Sequence, residues 1–169
     1  MSSESRNELQ RRLGEEVRAF QRSVDAGDDE IARLLGLNRT DLRCLDSLLQ
    51  KGPSAPSRLA TELGLTTGSV TAMLDRMEKA GYISRTPDPA DRRKLIVQAT
   101  PEIAQQAMEA MLPLIRESAA EIAEYTIDDL RLLLDFFSRA RGVQDRHVQR
   151  LRELKPVNER RRQKPSHST

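Results

Sequence analysis

A glycine between two short apolar repeats, Gly64, constrains the fold of this chain more than any other residue. Before Gly64, apolar residues share one side of a short helix: Leu59, Ala60 and Leu63. After it, apolar residues at i, i+3, i+4 and i+7 form the buried stripe of a second helix: Val70, Met73, Leu74 and Met77. Glycine favours the left-handed conformation that ends a helix, and Thr66 or Thr67 can cap the next one. The segment therefore predicts a helix-turn-helix.

A two-stranded hairpin is predicted directly after this motif. Gly81 ends the second helix, and residues 82–86 and 94–99 are strand-compatible runs. Ile83 is expected opposite Ile96 or Val97. The connection, residues 87–93, is rich in turn-forming residues and ends in two arginines. A hairpin with a basic tip after a helix-turn-helix predicts a winged helix-turn-helix, which makes the fold class mainly α with a small β wing.

The outward side of the second helix, about residues 67–80, has the chemistry of a DNA recognition helix. Short hydroxyl side chains fit a major groove, and arginines at a wing tip suit a minor groove or phosphates. The predicted DNA-binding residues are Thr66, Thr67, Ser69, Thr71, Arg76, Arg92, Arg93 and Lys94. Asp91 is expected to support the wing by holding Arg93 in a charge-assisted hydrogen bond. For Arg76 we predict a phosphate contact, and the alternative is an ion pair with Asp75 or Glu78.

Residues 35–100 resemble the winged helix of the MarR family of bacterial transcription regulators. The resemblance lies in the Leu-Gly-Leu-Thr turn at residues 63–66, Val-Thr at 70–71, Leu-Asp-Arg at 74–76, Glu-Lys-Ala-Gly at 78–81 and Asp-Arg-Arg at 91–93. The upstream segment 35–53 also fits the helix that precedes this motif in the family. One position departs from the pattern. Ala72 stands where many relatives carry an arginine, so a guanine contact from that position is not available here.

The resemblance implies a sequence-specific regulator of transcription that binds double-stranded DNA. It further implies a ligand-responsive repressor that binds a palindromic operator as a homodimer. Relatives of this kind have an effector cleft for small aromatic or phenolic anions between the dimer helices and the winged helix. The corresponding pocket candidates in this chain are Phe20, Leu45, Leu48, Met108, Met111 and Arg116.

Amphipathic helices on both sides of the winged helix predict a dimer. A helix over about residues 5–26 is expected to break at Gly27 and to be followed by a short helix that ends at Leu35. Beyond the wing, helices should begin after Thr100 and after Thr126, and Pro113 should kink the first of them. A winged helix needs only about 60–70 residues, so these helices have no room to bury their apolar sides on it. The economical solution is a two-fold dimer in which both chains interlock.

The predicted organisation has three regions. Residues 1–37 and 101–154 form a helical dimerisation region, residues 38–100 the winged helix-turn-helix, and residues 155–169 a disordered basic tail. From residue 139 onward there are ten Lys and Arg against three Asp and Glu, although the net charge of the whole chain is only +2. DNA affinity should therefore come from a few placed phosphate contacts rather than from a large positive field.

Several functional classes lack support in the sequence. No apolar run is long enough to cross a membrane and the N-terminus has no apolar signal segment, which favours a cytoplasmic protein without membrane contact. No nucleophile–base pair or phosphate loop is present, so an enzyme is not expected. Cys44, His147 and His167 are dispersed, and neither a metal nor another cofactor is predicted. Cys44 flanks a leucine stripe and is expected to be a buried, inert thiol. The alternative function is a winged helix that binds a protein partner without specific DNA binding.

Overall fold

The computed structural model describes residues 5–154, which form six helices and one hairpin. The order is α1 (Arg6–Leu35), α2 (Arg39–Lys51), α3 (Pro56–Leu63), α4 (Thr67–Lys79), β1 (Ile83–Pro87), β2 (Leu95–Ala99), α5 (Pro101–Ala123) and α6 (Ile127–Glu153). The mainly α winged helix-turn-helix predicted from the sequence is confirmed. The basic tail predicted for residues 155–169 lies outside the described residues.

Helix α1 is one continuous element, which corrects the predicted break at Gly27. Ser5 caps its first turn by accepting a hydrogen bond from the Glu8 amide. A single glycine costs about 1 kcal/mol in a helix interior, too little to end a helix whose hydrogen-bond ladder continues on both sides. The helix instead ends at Gly36, whose φ of 67° is the left-handed conformation typical of a helix C-terminus.

The helices of the winged helix begin and end where the sequence indicates. The Asn38 side chain accepts hydrogen bonds from the Thr40 and Asp41 amides and so caps α2. Gly64 adopts φ 68° and ends α3. Thr66 then caps α4 by accepting a hydrogen bond from the Ser69 amide. The turn between α3 and α4 is therefore held by a glycine and a threonine with only Leu65 between them.

The wing is an antiparallel hairpin in which Ile83 pairs with Ala99 and Arg85 pairs with Val97. The expected pairing of Ile83 with Ile96 or Val97 is wrong. Ile83 and Val97 are nevertheless both buried, because they lie diagonally on the same side of the ladder. Ser54 exchanges two backbone hydrogen bonds with Val97, of 2.9 and 2.8 Å, on the other edge of β2. This bridge ties the segment before α3 to the base of the wing.

The fold divides after Leu114 into two compact units. The core of the first unit is aliphatic and receives side chains from α1 to α5 and from both strands. Its most completely buried side chains are Leu45, Leu59, Leu74, Met77, Val70, Val97 and Cys44. Burial, followed by the nearby carboxylates of Asp41 and Glu62, raises the pKa of the Cys44 thiol to about 11. A buried thiol that stays protonated at neutral pH has little thiolate to react, which supports the inert role expected from the sequence.

The second unit contains the end of α5 and all of α6. Thr126 and Asp129 form a reciprocal capping box at the start of α6. The hydrogen bonds from Thr126 hold the pKa of the Asp129 carboxyl below its usual range. Helix α6 buries none of its side chains. Within residues 5–154, no helix is both long and apolar enough to cross a membrane.

Candidate nucleic-acid interface

The buried stripe of α4 decides which of its residues face outward. Four side chains of α4 are at most 2% exposed, and they close one side of the helix: Val70, Met73, Leu74 and Met77. The other side is exposed and carries short residues over its first two turns: Thr67, Gly68, Ser69, Thr71 and Ala72. Because these side chains are short, the backbone of α4 can approach a major groove closely.

Three hydroxyl groups at the start of α4, those of Thr66, Ser69 and Thr71, form hydrogen bonds within the helix or its cap. The Thr66 and Ser69 hydroxyls lie 2.9 Å apart, and Thr66 also accepts from the Ser69 amide at 3.2 Å. The Thr71 hydroxyl donates to the Thr67 carbonyl oxygen at 2.9 Å. These bonds stabilise the start of α4 and fix the rotamers of the side chains that make them.

Arg76 is held by a carboxylate of another helix. Its Nε and one Nη donate to the two carboxylate oxygens of Asp41 at 3.1 and 2.5 Å. The Asp41 side chain is only 5% exposed, whereas that of Arg76 is 53% exposed. The hydrogen bonds to Asp41 raise the pKa of Arg76, which stays charged. The alternative named for Arg76, an ion pair with Asp75 or Glu78, is wrong, because those two carboxylates pair with Arg85 at 2.7 and 3.1 Å. The phosphate contact of Arg76 stays a prediction.

The wing tip is organised around Asp91. Asp91 accepts from the backbone amide and Nε of Arg93, both at 3.2 Å, and Lys94 Nζ lies 3.6 Å away. The hydrogen bonds from Arg93 hold the pKa of Asp91 below its usual range, so the carboxylate stays ionised. The Arg93 side chain is nevertheless 91% exposed. Arg92 is also exposed. The tip therefore presents guanidinium groups to solvent, and the expected contact between Asp91 and Arg93 is present.

Two open depressions flank the outward side of α4. One, of about 420 Å³, lies between α3, α4 and the start of β2 and is lined by Ala55, Pro56, Ser57, Ala60, Thr67, Val70, Thr71, Lys94 and Leu95. The other, of about 390 Å³, lies toward the start of α2 and is lined by Asn38, Arg39, Thr40, Leu65, Ser69, Ala72, Met73 and Arg76. Most residues predicted to bind DNA line one of these two depressions: Thr67, Ser69, Thr71, Arg76 and Lys94. Thr66 caps α4 between the depressions, and Arg92 and Arg93 lie at the wing tip.

The predicted effector-pocket residues have different environments. Leu45 and Leu48 are core side chains with 0% and 4% exposure in the single chain. Their place in an effector cleft of the dimer stays a prediction. Phe20 and Met108 are 61% and 56% exposed, Met111 is half-buried and Arg116 is exposed.

Comparison with known proteins identifies the family. Residues 37–95 match the model of the MarR family. Over 146 residues the chain is 34% identical to YcgE of Bacillus subtilis, an HTH-type transcriptional regulator, with 86% of this chain and 90% of YcgE covered. The chain belongs to the MarR family. It is a DNA-binding regulator of transcription, as the resemblance implied.

Solved structures of MarR-type regulators share this fold. The regulator Tm0710 of Thermotoga maritima aligns with a TM-score of 0.55 and 25% identity, over 82% of this chain and 98% of Tm0710. A cysteine-to-serine mutant of MarR from E. coli, crystallised with operator DNA, aligns with a TM-score of 0.51 and 22% identity, over 76% and 92% of the two chains. At 22% identity, the similarity to the MarR mutant shows a shared fold and nothing about function.

Sequence reasoning missed two contributors to the architecture of this MarR-family interface. Asp41 holds Arg76, a contact between α2 and α4 that the local pattern did not predict. Ser54 joins the wing as a third backbone partner, although a single bridging residue leaves no strand pattern in the sequence. The sequence held one signal for Asp41. It shares a helix side with apolar core residues, and a buried carboxylate needs a cationic partner.

We expect Asp41→Ala to lower the free energy of unfolding by about 1–2 kcal/mol. The substitution removes both hydrogen bonds to Arg76 and the acceptor of the Asn38 side-chain amide. Asp75→Ala is the matched control, because Asp75 also pairs with an arginine but is 58% exposed. It should change the free energy of unfolding by less than about 0.5 kcal/mol. Urea unfolding at one protein concentration measures both, and equal losses would contradict the assigned role of Asp41.

Proposed function

We propose that this regulator represses transcription as a homodimer bound to a palindromic operator. In this proposal α4 of each chain enters a major groove, and the wing arginines contact the neighbouring minor groove or its phosphates. A two-fold dimer would place the half-sites about one helical turn apart. The observation that carries the proposal is the narrow, exposed side of α4 beside a wing whose Arg93 is 91% exposed.

Arg93 is the side chain best prepared for a DNA contact. Asp91 fixes its backbone amide and Nε, which reduces the conformational entropy lost on binding. The two Nη groups of Arg93 remain as donors beside the Nε bond to Asp91, and they suit an electronegative groove. The wing turn is closed by two further backbone bonds, Asp88 to Lys94 at 2.9 Å and Lys94 to Asp91 at 2.8 Å. The position of the tip is therefore set by the fold.

We expect Arg93→Ala to weaken operator binding by about 1–3 kcal/mol and to reduce the salt slope of log K by about one. The reason is the loss of one charged contact from a preorganised tip. Fluorescence anisotropy on DNA from upstream of the protein's own gene, at two salt concentrations with scrambled competitor, measures both. Arg33→Ala is the control, since it removes the same charge from an arginine that pairs with Glu30 on α1. Unchanged affinity in Arg93→Ala would rule out the wing contact.

Exposed apolar stripes support the homodimer. On α1 the side chains of Leu9, Leu13, Phe20 and Val24 are 46–61% exposed. On α6 the exposed apolar residues are Ile127, Leu132, Leu133, Leu134, Phe137, Val143, Val148 and Leu151. Such stripes at helical spacing are costly in water and mark association surfaces. A second copy of the chain brings matching stripes, which is why residues 1–37 and 101–154 are proposed as the dimerisation region.

We expect the wild-type protein to have twice the 19.1 kDa chain mass in light scattering coupled to size exclusion. Phe20→Glu should shift the population toward the single chain, because it places a carboxylate within the apolar stripe of α1. Arg22→Gln is the control, since it changes the net charge by the same amount on the other side of the helix. A wild-type protein that runs as a single chain at micromolar concentration would overturn the dimer.

The proposal includes response to a small aromatic or phenolic anion, which rests on the family resemblance. Of the candidate residues, Phe20, Met108, Met111 and Arg116 have exposed surface available for such a ligand. In the dimer a second chain would enclose some of this surface. An effector that binds the DNA-incompetent arrangement more tightly would shift the population away from the operator complex.

We expect a panel of hydroxybenzoates to include a compound that lowers the anisotropy of the preformed operator complex. Arg116→Ala should lose this response, because it removes the cation proposed to pair with the ligand carboxylate. Arg131→Ala is the control, as Arg131 pairs with Asp128 within α6. If no compound changes operator affinity, or if Arg116→Ala responds like the control, the proposed effector site is wrong.

The alternative named from the sequence is a winged helix that binds a protein partner without specific DNA binding. It differs from the proposal in two measurable ways: there would be no salt-dependent DNA affinity, and Arg93→Ala would have little effect. The family consists of transcription regulators, and we propose no catalytic activity and no cofactor for this member. As a regulator of bacterial promoters it would act in the cytoplasm.

A further inference from the structure

The outward side of α4 lacks the side chains that read purine edges most strongly. Arginine and lysine bind guanine, and asparagine and glutamine bind adenine, through paired hydrogen bonds in the major groove. None of these four residue types occurs in the first nine residues of α4, Thr67 to Asp75. Arg76 follows, but its Nε and one Nη are bonded to Asp41. Base recognition by this helix must therefore rely on other contacts.

The hydroxyl groups have limited capacity for base recognition as well. Thr71 uses its single hydroxyl proton on the Thr67 carbonyl oxygen, so it has none to donate to the N7 or O6 acceptors of guanine. Thr66 and Ser69 share a hydrogen bond with each other at the helix start. These internal bonds leave hydrocarbon as a large part of what the helix presents outward.

Part of that hydrocarbon lies beside the wing, in a depression that Ser57 and Lys94 also line. The methyl-bearing side chains of Thr67 and Thr71 line the same depression as Ala60, Val70 and Leu95. Leu95, the first residue of β2 and next to the wing tip, is 48% exposed. Ala72 adds a methyl group on the other side of Thr71, next to the second depression. In the major groove the only apolar group on a base edge is the C5-methyl group of thymine.

We propose that α4 reads its operator mainly through thymine methyl groups, with Thr71 as the central specificity-determining residue. The inference rests on the proposed function, because it requires α4 to lie in the major groove. It predicts that the half-site positions under α4 are rich in T·A pairs. It also specifies the chemical group that is read, the C5-methyl group rather than a hydrogen-bonding atom.

Uracil substitution tests the proposal directly. Selection from a random double-stranded library with the full chain supplies a bound sequence, which is then synthesised with thymine or with uracil. Uracil lacks only the C5-methyl group and keeps every hydrogen-bonding atom of thymine. Each contacted methyl should contribute about fourfold to affinity, the equivalent of ~0.8 kcal/mol. Replacing thymines one at a time should confine the loss to positions under α4. Equal affinity for thymine and uracil duplexes would overturn the inference.

Two variants of Thr71 separate its methyl group from its hydroxyl. Thr71→Val keeps a methyl group and should retain at least a threefold preference for the thymine duplex. Thr71→Ser keeps the hydroxyl and should lose most of that preference at the contacted position. Circular dichroism confirms that both variants are folded before binding is compared. The opposite pattern, with Ser retaining the preference and Val losing it, would show that the hydroxyl is the reading group.

The outcomes also separate this inference from the proposed function. If selection enriches no sequence, the specific DNA-binding function proposed for α4 fails, and the methyl readout fails with it. If selection enriches a site whose affinity does not change with uracil, the DNA-binding function holds and the methyl readout alone is wrong.

Discussion

Burial of one side of α4 in an aliphatic core is the constraint on which the winged helix depends. Val70, Met73, Leu74 and Met77 are all at most 2% exposed, so rotation of α4 about its axis would expose apolar surface and bury polar groups. The same burial determines which residues face outward. The recognition surface is thus a consequence of core packing, and its geometry is as rigid as the core.

Ion pairs refine this arrangement at the ends of α4. Asp41 connects Arg76 to the start of α2, and Arg85 connects the exposed carboxylates of α4 to β1. Because these two arginines are paired within the protein, their charge is offset by carboxylates. The exposed wing arginines are among the cations that face solvent and can reach phosphates. This distribution favours a modest, salt-sensitive affinity set by few contacts.

Predictions from the sequence were wrong where the structure depends on more than the residues next to the position. Gly27 was read as a break, yet the surrounding ladder of α1 continues through it, since the cost of one glycine is small. Strand register was misjudged because Ile83 can face inward opposite several residues of β2. The partner of Arg76 lies 35 residues away in the chain, so a reading of local spacing could find only its neighbours Asp75 and Glu78.

What the sequence determined by itself was local. Helix caps at Asn38, Thr66 and Thr126, the glycine ends, the buried stripe of α4 and the Asp91–Arg93 contact all follow from residues within a few positions of one another. The tertiary structure decided which apolar stripes become core and which remain exposed: Leu45 and Leu48 are buried, whereas Phe20 and Leu134 are not. The physical reason is that helical periodicity reports an apolar side but not the surface that covers it. That surface is supplied by residues distant in the chain or, as proposed for α1 and α6, by a second chain.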